Sequence, residues 1–317
     1  MSVLKLLRQS VISFSKIAGT MPEEAGRHMA VAMGLLLFNF WHVERNRVLE
    51  TLDRISLRTG RKFDQELSTI VKKNFIHYAL NIYEVLRIPK TSSEELEQKM
   101  IFHGCENIEN ALAAGRGVIF ALPHIGNWEL FGAAIAHRGY PLHSFYMSQK
   151  EDEIGSLLDY FRQFYGIILH DRDRGWGKAL RSLRQSQILG MIADQDGSNI
   201  GVYLDFLGHF VSIPAGPANW SLKTGAKLIP IYSKRRGFSR VFDAWFLPAL
   251  PEESGETHEQ RVVARTKRLC QWMEELIFSC PHQYLWFYDR FKPRHESWLT
   301  SGKKRDGQIF HGEAWYG

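Results

Sequence analysis

The sequence predicts an α/β protein built on a mixed, largely parallel sheet flanked by helices, with a helical region ahead of it. Three observations predict this. Residues 4–87 carry apolar side chains at three- and four-residue spacings with few strand signals, which is the pattern of helices. From residue 117 the texture changes to short apolar runs alternating with helical stretches, the order that builds a parallel sheet. The first of those runs, Gly117-Val-Ile-Phe-Ala-Leu-Pro123, is apolar throughout, as a strand covered on both faces must be.

Taken in order, Pro22 with Glu23 and Glu24 reads as the first turn of a helix, where a proline loses no needed hydrogen bond. Ahead of it, Lys5, Arg8 and Lys16 interrupt the apolar residues too often for a signal peptide. The strongest apolar run, MAVAMGLLLFNFW over residues 29–41, falls short of the roughly 20 residues that span a bilayer. Arg27 and His28 precede it, and Arg45 and Arg47 follow. It therefore reads either as a helix lying in a membrane interface, with Trp41 facing the membrane, or as a buried core helix.

Within the sheet region, residues 127–137 read as a helix and 142–147 as a strand. A helical stretch runs through residue 165, with a strand at 166–170, a helix at 177–185 and a strand at 188–193. Residues 214–224 are helical, 226–233 and 241–247 are strands, and 259–279 form a long amphipathic helix. The chain thus divides into a helical N-terminal region (1–90) with a membrane-associating segment at 29–41, an α/β domain (91–295) and a loose polar tail (296–317).

At 317 residues the chain can bury a full-sized core, and 44% hydrophobic with 23% charged residues excludes a disordered or fibrous protein. The net charge of +6 favours an anionic partner: nucleic acid, an anionic membrane or an acidic carrier protein. Nine tryptophans and 13% aromatic residues tilt the choice toward a membrane interface. Nucleic acid is disfavoured, because no binding motif and no dense Lys/Arg run with interleaved aromatics is present. Cys105, Cys270 and Cys280 form no CxxC pair, so neither a disulfide framework nor a zinc site is expected.

The informative stretch is Leu122-Pro-His-Ile-Gly-Asn-Trp-Glu-Leu130. On a continuous helix, His124 and Glu129 would lie on different faces. A strand-to-helix turn solves this: Pro123 keeps the preceding residue extended, Gly126 permits a tight bend and Asn127 caps the helix, so Glu129 can face back toward His124. The carboxylate would then hold one imidazole nitrogen and leave the other to take a proton. The spacing alone also fits a structural histidine beside a helix-capping glutamate. No Ser or Cys sits in a GxSxG-type elbow, so any nucleophile comes from outside, a substrate hydroxyl being the natural one.

His124-Ile-Gly-Asn-Trp-Glu129 resembles the H-x4-D/E block of the glycerolipid acyltransferases, in wording closest to the lipid A late acyltransferases, the lauroyl and myristoyl transferases. Ala193-Asp-Gln-Asp196 is similar to that family's DQD block. Phe206-Leu-Gly-His-Phe-Val-Ser-Ile-Pro-Ala-Gly-Pro217, continuing to Lys223-Thr-Gly-Ala-Lys-Leu-Ile-Pro-Ile231, resembles its F-x-G, P-x-G-P-A and TGA-x-x-x-P blocks. Gln283-Tyr-Leu-Trp-Phe-Tyr-Asp-Arg-Phe-Lys292 resembles its terminal W-x-H-R-R-W-K motif, so the likeness covers about residues 25–293.

The resemblance implies a glycerol-3-phosphate acyltransferase-like fold, an acyl carrier protein thioester (or acyl-CoA) as donor and a hydroxylated membrane lipid, a lipid A precursor, as acceptor. It implies no cofactor and no metal, and residence at the cytoplasmic face of an inner membrane. In that scheme His124 is the general base and Glu129 orients it, while backbone amides near Gly126 and Asn127 and one basic side chain stabilise the oxyanion. Arg162 sits where the family has an arginine ahead of a glycine and would hold a phosphate or position the thioester; a solvated helix-face arginine is the alternative. Asp194, Gln195 and Asp196 follow a strand, with Asp194 structural and substrate-orienting rather than part of a metal site. Pro214, Gly216 and Pro217 shape a helix start lining an acyl pocket, or a plain loop. Trp286, Arg290 and Lys292 face membrane phosphates, or the charges form a solvated pair.

Two departures bear on the acceptor. Met147-Ser-Gln-Lys-Glu-Asp-Glu153 replaces a segment where the family has Arg and Asn, and Tyr288 and Asp289 stand where His and Arg are common. A divergent branch acylating another lipid is one alternative; a thioesterase and a non-catalytic lipid-binding protein are the others.

Overall fold

The computed structural model describes residues 3–146, 153–171 and 174–291. Four helices come first, α1 (Val3–Thr20), α2 (Glu23–Phe40), α3 (His42–Thr59) and α4 (Leu67–Arg87), followed by α5 (Ser93–Lys99). Strands β1 (Met100–His103), β2 (Val118–Leu122), β3 (Leu142–Tyr146), β4 (Ile168–Asp171) and β5 (Ile188–Ile192) then alternate with helices α6 (Cys105–Ala113), α7 (Trp128–His137), α8 (Glu153–Phe164) and α9 (Trp176–Arg184). A hairpin of β6 (Val202–Phe206) and β7 (His209–Ile213) precedes α10 (Gly216–Thr224), β8 (Lys227–Arg235), β9 (Phe242–Phe246) and α11 (His258–Ser279).

The predicted α/β class is what the chain adopts. The main sheet has seven strands in the order β1-β9-β8-β2-β5-β3-β4. From β8 to β4 every pair is parallel, whereas β8 and β9 form an antiparallel hairpin that reverses β9 and its parallel neighbour β1. Alternation along β2 splits the core: Val118 and Phe120 pack beneath α6 and α7, while Ile119 and Ala121 face α9, α10 and α11. Both faces are covered, which is why these strands read as unbroken apolar runs.

The N-terminal helices join this core through small residues and one buried charge. On α2, Gly26, Ala30 and Gly34 share a face against α4. A Cβ on Gly34 would lie 2.6 Å from Ile76 Cα, so only glycine allows this approach. The opposite face carries Met29, Met33, Leu36 and Phe40, 59%, 52%, 52% and 75% exposed. The run 29–41 is therefore half core and half open surface, and among the described residues no helix is long and apolar enough to cross a membrane.

At the centre of the N-terminal packing, Glu84 on α4 accepts from Arg235 at the end of β8 through both of its oxygens, from Arg27 on α2 (2.9 Å) and from the Asn127 amide (2.9 Å). Arg235 also donates to Asn81 Oδ1 (2.8 Å), and Asn81 in turn donates to the Gly126 carbonyl (2.5 Å). All of these side chains are buried.

Five elements were not predicted: α5, β1, α6 and the two strands of the β6–β7 hairpin. Strand β1 is four residues at the sheet edge with Ile101 exposed, too short to establish a period. Helix α6 has a glycine, Gly104, rather than a polar side chain at its N-cap. The β6–β7 hairpin turns at Leu207-Gly208, both at positive φ (53° and 72°), and a leucine gives no turn signal. Residues 147–152 of the departing segment, Lys292 and the tail 296–317 lie outside the described residues.

Removing Glu84 leaves two arginines buried without their counter-charge. Glu84→Ala should lower the unfolding free energy by about 3–5 kcal/mol in denaturant titration. Glu275→Ala, which breaks the exposed Arg61–Glu275 pair, should cost under about 1 kcal/mol.

Candidate active site

Strands β2 and β5 are neighbours in parallel register, with Leu122 opposite Ile192 where both end. Ala193 N–H donates to the Leu122 carbonyl (2.9 Å), extending the pairing one step. Two residues beyond each strand lie His124 and Asp194, side by side at the C-terminal ends of two central strands, where α/β sites collect. Asp194 accepts from the His124 backbone N–H (2.9 Å) with one oxygen and from His124 Nδ1 (2.8 Å) with the other. An ionised carboxylate can only accept, so Nδ1 carries a proton and the tautomer with Nε2 as acceptor is the neutral form that this contact favours. Burial works to raise the Asp194 carboxyl, but the imidazole, the two hydrogen bonds from His124 and one from the Tyr284 hydroxyl hold it below the usual range. The same burial, with Asp194 alongside, pushes the Tyr284 hydroxyl well up, so it stays a donor.

This corrects the expectation that Glu129 holds the imidazole. Nδ1 faces the adjacent strand end, and Asp194 occupies that position. Glu129, in the first turn of α7, is gripped instead by Arg162 from α8, whose Nε and terminal nitrogen donate at 2.8 and 2.5 Å. Trp128 Nε1 adds a third bond at 3.1 Å. Burial would raise the Glu129 carboxyl, yet Arg162 and, more weakly, His124 hold it low. Arg162 is thus a fixed cation and no solvated surface charge.

The turn between β2 and α7 forms as its sequence implies. Asn127 Oδ1 caps α7 by accepting from Leu130 N–H (3.1 Å). Gly126 has φ 64°, and a Cβ there would lie 2.1 Å from the Ser233 carbonyl. As an oxyanion donor, however, the Gly126 amide is corrected. Gly126 N–H donates to the Gln283 carbonyl (3.1 Å), and the Asn127 side chain is committed to α7 and Glu84. Gln195 holds its amide 3.5 Å from His124 Nε2, and Asp196 accepts from Ser198 N–H (2.9 Å).

An apolar cavity of about 100 Å³ opens between the sheet and the α7 and α8 helices, with Trp128, Glu129 and Arg162 among its polar lining and Phe120, Leu142 and Ile167 among its apolar wall. The Trp128 ring touches both the cavity and the His124 imidazole, edge-on at 4.8 Å. Pro214, Gly216 and Pro217 do not line it. They start α10 on the opposite face, where Gly216 lies against Met191, and β5 sends Gly190 and Ile192, not Met191, into the cavity.

The C-terminal segment folds back over the site, which overturns two more expectations. Leu285 N–H donates to the His124 carbonyl (2.9 Å), and Tyr284 bridges to Ile125. Trp286 is consequently buried, its Nε1 bound to the Pro281 carbonyl (2.7 Å), and faces no membrane. Arg290 is also buried: it donates to the backbone carbonyls of Asp194 (2.7 Å) and Ser212 (2.5 Å) and so fixes the turn that presents Asp194. Trp41 is half-exposed and stacks on Phe287. Sequence reasoning had Asp194 but not its partner, and missed Tyr284 and Arg290 as its supports. The available signal was the terminal block itself, whose polar residues needed buried acceptors.

The site thus presents a buried imidazole held by a carboxylate at Nδ1, with no serine or cysteine among the described residues bonded to it and an apolar cavity alongside. Residues 4–293 match the family model described as bacterial lipid A biosynthesis acyltransferase, and the chain belongs to that family. It is an acyltransferase of the lipid A and glycolipid type. It is 26% identical over 271 residues to a phosphatidylinositol mannoside acyltransferase of Mycolicibacterium smegmatis, covering 84% of this chain and 85% of that protein. To the protein of that name in Mycobacterium tuberculosis it is 29% identical over 204 residues, covering 62% of each. To a lipid A biosynthesis acyltransferase of Haemophilus influenzae it is 23% identical, covering 74% of this chain and 72% of the relative.

Two measurements test the geometry. Asp194→Asn should favour the wrong imidazole tautomer and lower kcat by about 10³–10⁴-fold, with the fold intact by circular dichroism. In double-mutant cycles on transfer activity, Glu129→Gln and Arg162→Met should couple by roughly 1–3 kcal/mol, whereas Glu129→Gln and Asp194→Asn should come closer to additivity.

Proposed function

We propose that this protein moves a fatty acyl chain from an acyl carrier protein or CoA thioester to a sugar hydroxyl of a membrane glycolipid, with His124 as general base. The observation that carries this reading is the Asp194–His124 hydrogen bond, which favours Nε2 as the proton acceptor, beside a largely apolar cavity. The acceptor oxygen attacks the thioester carbonyl as Nε2 takes its proton. The tetrahedral oxyanion collapses, the carbon–sulfur bond breaks, and the imidazolium returns the proton to the departing thiolate. Arg162, which lines the cavity, is the cation for the oxyanion or for a phosphate of either substrate.

The acceptor reading rests on family membership. The order of motifs favours a lipid A precursor. The relatives named for phosphatidylinositol mannoside support a second reading, in which the acylated hydroxyl belongs to a mannose on an inositol phospholipid. We place the reaction at the surface of the inner membrane, with Met29, Met33, Leu36, Phe40 and Trp41 entering the lipid interface.

Purified protein incubated with acyl carrier protein and CoA thioesters and vesicles carrying either glycolipid, followed by mass spectrometry, should yield an acylated glycolipid. Transfer persisting undiminished in His124→Ala would sink the mechanism, and free fatty acid as the only product would make the enzyme a thioesterase. In vesicle flotation, Met33→Glu and Phe40→Glu should each weaken binding by about tenfold or more, because each loses the transfer of one large apolar side chain. Unchanged binding would remove this face from the membrane contact.

A further inference from the structure

The acyl cavity is kept open by two glycines that the backbone does not require. Gly190 lies in mid-strand on β5 opposite Phe120, and Gly132 lies in mid-helix on α7, one turn beyond Trp128 and Glu129 on the same face. Both line the cavity. Neither has a positive φ, unlike Gly117 or Gly126 nearby. Neither is demanded by packing. A Cβ on Gly190 would meet Leu142 Cδ1 at 3.5 Å and the His143 carbonyl at 3.6 Å, and one on Gly132 would meet Ile167 Cδ1 at 3.5 Å, all ordinary van der Waals separations. Glycine is the poorest residue short of proline for the interior of a helix or strand, so alanine at either place would make the element more stable. The one thing both glycines supply is empty volume, at the level where Leu142 and Ile167 close the cavity from the far side.

We propose that Gly190 and Gly132, facing Leu142 and Ile167, set the length of acyl chain that the enzyme accepts. The inference rests on the reading of the cavity as the acyl site. A side chain at position 190 would project from the strand into the path of the hydrocarbon, ending it nearer to His124. A smaller residue at 142 would let it run further. Mismatch of a single methylene in an apolar pocket discriminates by about tenfold or more, so one substitution is enough to move the preference.

The test is a competition among an even-numbered series of saturated acyl thioesters, with acylated glycolipid read by mass spectrometry, for the wild type, Gly190→Ala, Gly190→Val, Gly132→Ala and Leu142→Ala. Thermal melting accompanies each variant. The alanine variants of both glycines should melt at or above the wild type. Gly190→Val should lower kcat/KM for the longest donor the wild type accepts by about tenfold or more while sparing shorter donors, and Leu142→Ala should shift the preference to longer ones. If Gly190→Val does not fold, Gly190→Ala and Leu142→Ala moving the profile in opposite directions decides the matter. A profile identical to wild type in these variants, or an equal loss at every length in a folded variant, overturns the assignment. A wild-type enzyme that transfers no acyl group from any donor would instead overturn the reading of the site beneath it.

Discussion

The register between β2 and β5 is the constraint on which the site depends. Leu122 opposite Ile192 places His124 beside Asp194 with no further adjustment, and the carboxylate then closes on both the backbone N–H and Nδ1 of the histidine. A slip of one residue would turn every side chain of β5 to the other face, sending Gly190 and Ile192 out of the cavity and Met191 into it. The alternation that buries the two cores therefore also fixes the geometry of the site. Apolar packing of Phe120, Ile188 and Leu189, each worth roughly 1.5–3 kcal/mol on burial, holds that register.

The second constraint is charge without water. Glu84 gathers Arg27, Arg235 and Asn127, which belong to the surface helix α2, the end of β8 and the cap of α7. The C-terminal segment does similar work from the other side: Gln283 pairs its amide with both backbone groups of Arg235, and Arg290 binds the carbonyl of Asp194. The turn that carries His124 is thus clamped between the helix exposed to solvent on its apolar face and the last described segment of the chain. Buried partners of this kind add little net stability as pairs, but losing one leaves the other stranded.

How much of this could be read in the sequence follows from what is local and what is not. The alternation of strands and helices, the Asn127 cap, the Gly126 bend and the positions of His124 and Asp194 at strand ends are all written within a few residues, and the structure has them. The link between residues 124 and 194 spans a crossover and depends on strand order, which no spacing in the chain encodes. For the same reason Glu129, close in sequence, was given the place that Asp194 takes. Trp286 and Arg290 look amphipathic and exposed when read alone. Their burial comes from the return of the chain over the site, a tertiary fact.

The separation of the two carboxylates leaves Asp194, not Glu129, to orient the imidazole. Asp194 fixes the imidazole by direct hydrogen bonds, a geometric role. Glu129 is bonded to Arg162 and Trp128, and its tie to His124 is electrostatic, without a hydrogen bond. In the proposed reaction the imidazole becomes a cation as it accepts the hydroxyl proton, while the attacked carbonyl becomes an anion. Glu129 favours the first charge and Arg162 the second, and the bidentate bond between them holds both in place before either charge develops. A preset ion pair beside the reacting atoms needs no reorganisation when they polarise, so on the proposed mechanism the carboxylate five residues from the histidine would serve catalysis without touching it.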